Sequence, residues 1–95
     1  MEPKYVLEWF RYGDTDLRYA EHGLSMNPQP YELICHHCQQ SAEKYLKGYL
    51  FFHGAEAPKI HHLDKLCEIC SEYDISFDEI AKQCAALTGY GVHPR

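Results

Sequence analysis

Apolar residues recur along this chain at intervals of three and four almost from its start. From Pro3 to about Leu24 the positions Val6, Trp9, Phe10, Gly13, Leu17, Ala20 and Leu24 keep that spacing, which puts them on one stripe of an amphipathic helix. Pro3 suits the first turn, where its missing N–H is not needed. Ser25 to Pro30 contains Asn27-Pro28 and a second proline two residues on; each proline lacks a donor and restricts its predecessor, so the helix stops and a loop follows. A longer stripe begins near Tyr31, with Ile34, Cys35, Cys38, Ala42, Tyr45, Leu46, Tyr49, Leu50 and His53, and predicts a helix of about six turns ended by Gly54.

After a loop from Gly54 to about Lys59, the residues Leu63, Leu66, Cys67, Cys70 and Tyr73 mark a shorter third helix. Ser76 and Glu79 form a capping box for a fourth, whose apolar face is Ile80, Ala81, Cys84 and Leu87 and which Gly89 and Gly91 end. No segment alternates with a period of two and no hairpin turn joins apolar runs, so strands have no support. The pattern predicts an all-α protein, an antiparallel (up-down) bundle of four main helices, in a single domain over residues 1–95. There is no internal repeat and no low-complexity tract.

Composition narrows this picture. With 95 residues, 45% of them hydrophobic, the chain has room for one domain and buries a smaller fraction of its surface than a longer one, which favours association. The formal charge of -5 excludes a broad cationic field for wrapping phosphate backbones, so any nucleic-acid or nucleotide site must be local. No apolar run approaches the roughly 20 residues that span a bilayer, and the start of the chain lacks the basic-then-apolar order of a signal peptide. The reading is a cytoplasmic protein with no membrane contact. An odd set of five cysteines then argues for reduced thiols rather than a disulfide scaffold.

The second helix carries His37, Gln40, Glu43, Lys44 and Lys47 on neighbouring parts of one face. Two lysines and an amide suit a phosphate and a base edge; the plainer alternative is a solvated face with ion pairs worth about 0.3–0.5 kcal/mol each. Cys35 and Cys38 with Cys67 and Cys70 make two C-x-x-C pairs, with His36, His37, His61 and His62 near them. A four-thiolate zinc site is one reading. The other is core packing, because both pairs lie inside helical patterns where i and i+3 share a face. No metal or cofactor is expected on that basis. His61 opens the third helix, as a general base, a phosphate ligand or a local cap. The standard phosphate-loop, dinucleotide, esterase-elbow and zinc-protease motifs are absent.

The run Cys35-His36-His37-Cys38-Gln39-Gln40-Ser41-Ala42-Glu43-Lys44-Tyr45-Leu46-Lys47-Gly48 resembles the central signature of HEPN (higher eukaryotes and prokaryotes nucleotide-binding) domains, of the form QQAAEKxLKA. Trp9 with Asp16-Leu17 and Ala20 resembles that family's first helix, and His61-His62-Leu63 with Leu66 resembles its HxL element. Leu87-Thr88, Tyr90 and Val92 before Arg95 resemble the approach to its RYP turn. These blocks keep the family's order over nearly the whole chain.

The resemblance implies an antiparallel helical bundle that commonly dimerises, encoded beside a small nucleotidyltransferase in a toxin-antitoxin-like pair. Many members are metal-independent ribonucleases that use an arginine and a histidine a few residues apart near the last helices. The family pattern continues past the position of Arg95 into a further helix, so a C-terminal truncation is implied and that motif is not visible; Arg18 and His22 are too closely spaced and lie in the first helix. Carried over by position, Asp16, Gln40, Glu43, Lys44, Lys47, His61 and Arg95, with His37, form the candidate ligand-binding set. Asp16 and Lys44 have a structural bridge as their alternative role. Arg95 and His61 are the catalytic candidates. The expected function is a binding module that engages nucleotide or RNA through Lys44, Lys47, His61 and Arg95 and pairs with the nucleotidyltransferase. The alternative is a metal-independent HEPN ribonuclease, a toxin whose motif is incomplete here. The crowd of large apolar residues, among them the consecutive Leu50, Phe51 and Phe52, adds a homodimer to the expectation.

Overall fold

Two long helices, α1 (Pro3–Leu24) and α2 (Tyr31–Phe52), fall where the two long apolar stripes placed them. The computed structural model describes residues 3–55 and 59–80. Between the helices, the prolines prevent further helical bonding, and the freed carbonyls of α1 are met locally: Ser25 and Met26 N–H close on His22 O and Gly23 O at 3.0 and 3.2 Å, and the Gln29 amide donates to Leu24 O at 2.7 Å. The end of α2 is a Schellman motif. Ala55 N–H donates to Leu50 O and Gly54 N–H to Phe51 O, both at 3.0 Å, while Gly54 takes the left-handed φ of 84° that a side chain would resist.

The helices α1 and α2 pack through small residues, with contacts that fall along one as they rise along the other. Gly23 meets Ile34, Gly13 meets Ser41 and Tyr45, and Gly48 meets Phe10 and Trp9, so this pair is antiparallel. Ser41 Oγ donates to the Gly13 carbonyl at 2.8 Å, and Phe10 stacks on Tyr45 at 5.6 Å. The buried stripe of α1 differs by one position from the apolar spacing. Leu17 and Leu24 are exposed, and Asp16 and Gly23 are turned inward beside Val6, Gly13 and Ala20. Helix–helix approach selects small side chains at the contact line, which the hydrophobic pattern does not reveal.

The third helix, α3 (Leu63–Cys70), buries Leu63, Leu66, Cys67 and Cys70 completely, at the i, i+3, i+4 and i+7 positions of one face. They meet Leu46 and Leu50 of α2 and form the core, with Ala42, Tyr49, Ala55, Ile60, Ile69 and Phe77 around it.

The apolar pattern predicts a fourth main helix begun by a Ser76–Glu79 capping box, and only the start of that stretch lies among the described residues. The described chain there is a short 3₁₀ segment, Ile75–Ile80, and Asp74 caps it instead: its Oδ1 accepts the Ser76 N–H at 3.0 Å and the Ser76 hydroxyl at 2.8 Å. That hydroxyl is spent as a donor. The expected continuation through Ala81, Cys84 and Leu87 lies outside the described residues. Among the described residues the fold is all-helical, with three α-helices and no strand, and no helix is long and apolar enough to cross a membrane.

Candidate functional site

The polar face of α2 is not a solvated face. Helix α2 lies between α1 and α3, so a wider arc of it is covered than one apolar stripe accounts for, and Gln39, Glu43 and Lys47 are buried. Burial of such groups is tolerated only when their hydrogen-bonding capacity is used, and here it is. Glu43 Oε2 accepts from Lys47 Nζ at 3.1 Å and from His61 Nδ1 at 2.9 Å, and Glu43 Oε1 accepts from Gln39 Nε2 at 3.1 Å. Gln39 Nε2 also donates to the His61 carbonyl at 3.2 Å, and Gln39 Oε1 accepts from Gln40 Nε2 at 2.7 Å. Among the described residues no buried side-chain N or O lacks a partner.

Burial pushes the Glu43 carboxyl pKa upward, but the hydrogen bonds from His61, Lys47 and Gln39 and the Lys47 charge outweigh it and hold the group below its ordinary value. Glu43 is therefore an acceptor only. Its partner nitrogen on His61 must carry the proton, which leaves Nε2 as the accepting nitrogen of the neutral ring. The His61 side chain is 63% exposed, while its carbonyl and its Nδ1 are both held by buried groups of α2. The result is an outward-facing imidazole of fixed tautomer and orientation on the approach to α3.

A second cluster joins the helices α1 and α2. Asp16, buried on α1, accepts from His37 Nδ1 at 3.0 Å and from Lys44 Nζ on its other oxygen. Both partners keep over a quarter of their side chains exposed. His37 also stacks on Tyr19 at 5.3 Å. The structural alternative for Asp16 and Lys44, a bridge between helices, is thus a geometric fact; the exposed edges of His37 and Lys44 leave them available to a ligand as well.

Of the sequence candidates, the structure brings Glu43, Lys47 and His61 into one network, with Gln40 attached through Gln39, and Asp16, His37 and Lys44 into the other. Arg95 lies outside the described residues. Lys47 was expected at the ligand surface and is instead enclosed, its ammonium spent on Glu43. Gln39, fully buried and bonded to three residues of the site, was missed: nothing in the spacing separates it from its neighbour Gln40, and only the position of His61 against α2 does.

The sulfur reading fares differently. Cys35, Cys38 and Cys70 are free thiols, and burial pushes Cys70 up to about 11. Cys67 is disulfide-bonded, contrary to the expectation of reduced thiols throughout, so a four-thiolate set is not formed. Among the described residues no group of three or more His, Cys, Asp or Glu side chains converges as a metal site.

A family model described as HEPN domain matches residues 6–95. Two curated relatives, phosphomethylpyrimidine synthases from two strains of Dehalococcoides mccartyi, are each 47% identical to the chain over 32 residues, which is 34% of this chain and 7% of theirs. The likeness is to one segment of those enzymes. No solved structure matches the chain.

Proposed function

The chain belongs to the HEPN domain family, and from that premise we propose that it is a nucleotide- or RNA-binding module whose ligand-facing groups are His61, His37, Gln40 and Lys44. The proposal extends to a small nucleotidyltransferase as its partner in a toxin-antitoxin-like pair, and to the up-down four-helix arrangement of the family. The observation that carries the ligand half is the exposed His61 ring, held by Glu43 and Gln39 from the buried side of α2. An exposed side chain needs no such double restraint to fold; a group that must accept from a ribose hydroxyl in one orientation does.

Cationic and donor groups confined to this face supply the local site that a chain of net charge -5 requires. Lys47 acts from behind, by neutralising Glu43, so that a ligand anion approaching His61 does not meet an uncompensated carboxylate. Titration of the protein with ATP and with short single-stranded RNA tests the reading. His61→Ala, which removes one hydrogen-bond acceptor, and Lys44→Ala, which removes one charge-assisted donor, should each weaken binding by about ten-fold. Undetectable binding by the wild type, or binding by both variants as tight as the wild type's, overturns it.

A ribonuclease reading draws on the same pair, because a carboxylate-oriented histidine is the form a general base takes. Metal-independent cleavage of RNA that disappears in both His61→Ala and Arg95→Ala would favour it over a module that only binds.

A further inference from the structure

On α1, Tyr5, Glu8, Trp9 and Tyr12 stand at i, i+3, i+4 and i+7 and, with Phe51 from the end of α2, line a cleft of about 460 Å³ that shares no residue with the His61 network. Tyr5 closes one end, edge-on to Phe51 at 6.2 Å and 77°. The buried residues of α1 are Val6, Gly13, Asp16, Ala20 and Gly23, and of the lining residues of α1 Trp9 joins the α1–α2 contact, through its Cβ against Gly48. Tyr5 and Tyr12 stay 45% and 59% exposed. Among the described residues the lining contains no lysine, arginine or histidine, and its one charged group is the Glu8 carboxylate.

We infer that this cleft binds a small organic cation of the quaternary or alkyl-substituted ammonium class. Aromatic faces carry the negative side of a quadrupole and attract a cation of low hydration. Tyrosines and a tryptophan around a carboxylate combine that attraction with direct charge complementarity. The same lining repels phosphate, which separates the cleft from the nucleotide or RNA site proposed above. Its volume lies within the roughly 300–1,000 Å³ of small-molecule pockets and is large enough for one such cation.

Trp9 is the chain's one tryptophan, and its fluorescence reads the cleft directly. The full chain is titrated with choline, with tetramethylammonium, and with the uncharged carbon isostere of choline in which a tert-butyl group replaces the trimethylammonium. Both cations should give a saturable change, and the isostere should bind at least about ten-fold more weakly. Glu8→Gln and Tyr12→Leu, both at exposed positions, should each weaken choline by about five-fold with the far-ultraviolet circular dichroism unchanged. Equal affinity for the isostere would reduce the cleft to an apolar groove and overturn the inference. So would the lack of a saturable response in the wild type, or full choline affinity in both variants.

Discussion

Glu43 and Lys47 are four residues apart on one helix, a spacing that on a wet surface contributes only tenths of a kcal/mol. Enclosed between α2 and the His61 segment, the pair changes character, because removing one member strands the other in a poorly solvated place. Glu43→Gln is expected to cost about 3 kcal/mol in urea unfolding at neutral pH. Glu43→Gln combined with Lys47→Met should recover most of that loss. The acid limb follows from the lowered Glu43 pKa: a depressed carboxyl contributes stability that is full above its ordinary value of 4.5 and is lost as pH falls through the lower folded value. The stability gap between wild type and Glu43→Gln should therefore stay constant from about pH 7 to about pH 5 and close below the ordinary carboxylate range. A gap that persists undiminished into strong acid would show that Glu43 does not hold its charge in the folded protein.

Helix-scale behaviour turns on the glycines at the α1–α2 contact. In an isolated helix, Gly48→Ala would gain up to about 1 kcal/mol of propensity. In this one, the added Cβ would lie 2.8 Å from both the Trp9 Cβ and the Phe10 ring, and the Trp9 Cβ is fixed to its backbone. Overpacking of that kind costs about 1–3 kcal/mol, so the contact outweighs the propensity and Gly48→Ala should lower the melting temperature. The comparison is Gly54→Ala, whose Cβ meets nothing within 4 Å and whose cost of about 1–2 kcal/mol comes from the left-handed φ alone. A Gly48→Ala protein more stable than wild type would show that the two long helices pack less closely than they do here.

At the scale of the whole molecule, large apolar side chains remain on the outside, Phe52 at 64% and Tyr31 at 68% exposure among them. A homodimer is the assembly proposed to use such surface, and light scattering at micromolar concentration is expected to report a dimer. Phe52→Glu, which disturbs no buried contact of the core cluster, should convert it to a folded monomer. A wild-type monomer under the same conditions defeats the proposal.

The boundaries of α1 and α2 and the start of α3 were legible in the chain, because they depend on local matters: proline placement, a glycine able to take positive φ, and apolar residues at helical intervals; α3 itself ends at Cys70, short of the Tyr73 that the spacing had added to it. The stripe of α3 was read off directly, as were the HEPN blocks, whose order survives without any knowledge of contacts. Other features were settled only by assembly. Helical periodicity shows that Gln39, Glu43 and Lys47 lie on related faces, yet water and a neighbouring segment leave the same signature in a polar run. What buried them is the approach of His61, 18 residues from Glu43 in sequence, with its carbonyl against Gln39. Asp16 entered the candidate set only through the resemblance, and its burial is decided where α2 brings His37 and Lys44 to it, from 21 and 28 residues away. The sequence by itself determined which helices form; the tertiary structure decided which polar groups they enclose, since desolvation and pairing depend on neighbours distant in the chain.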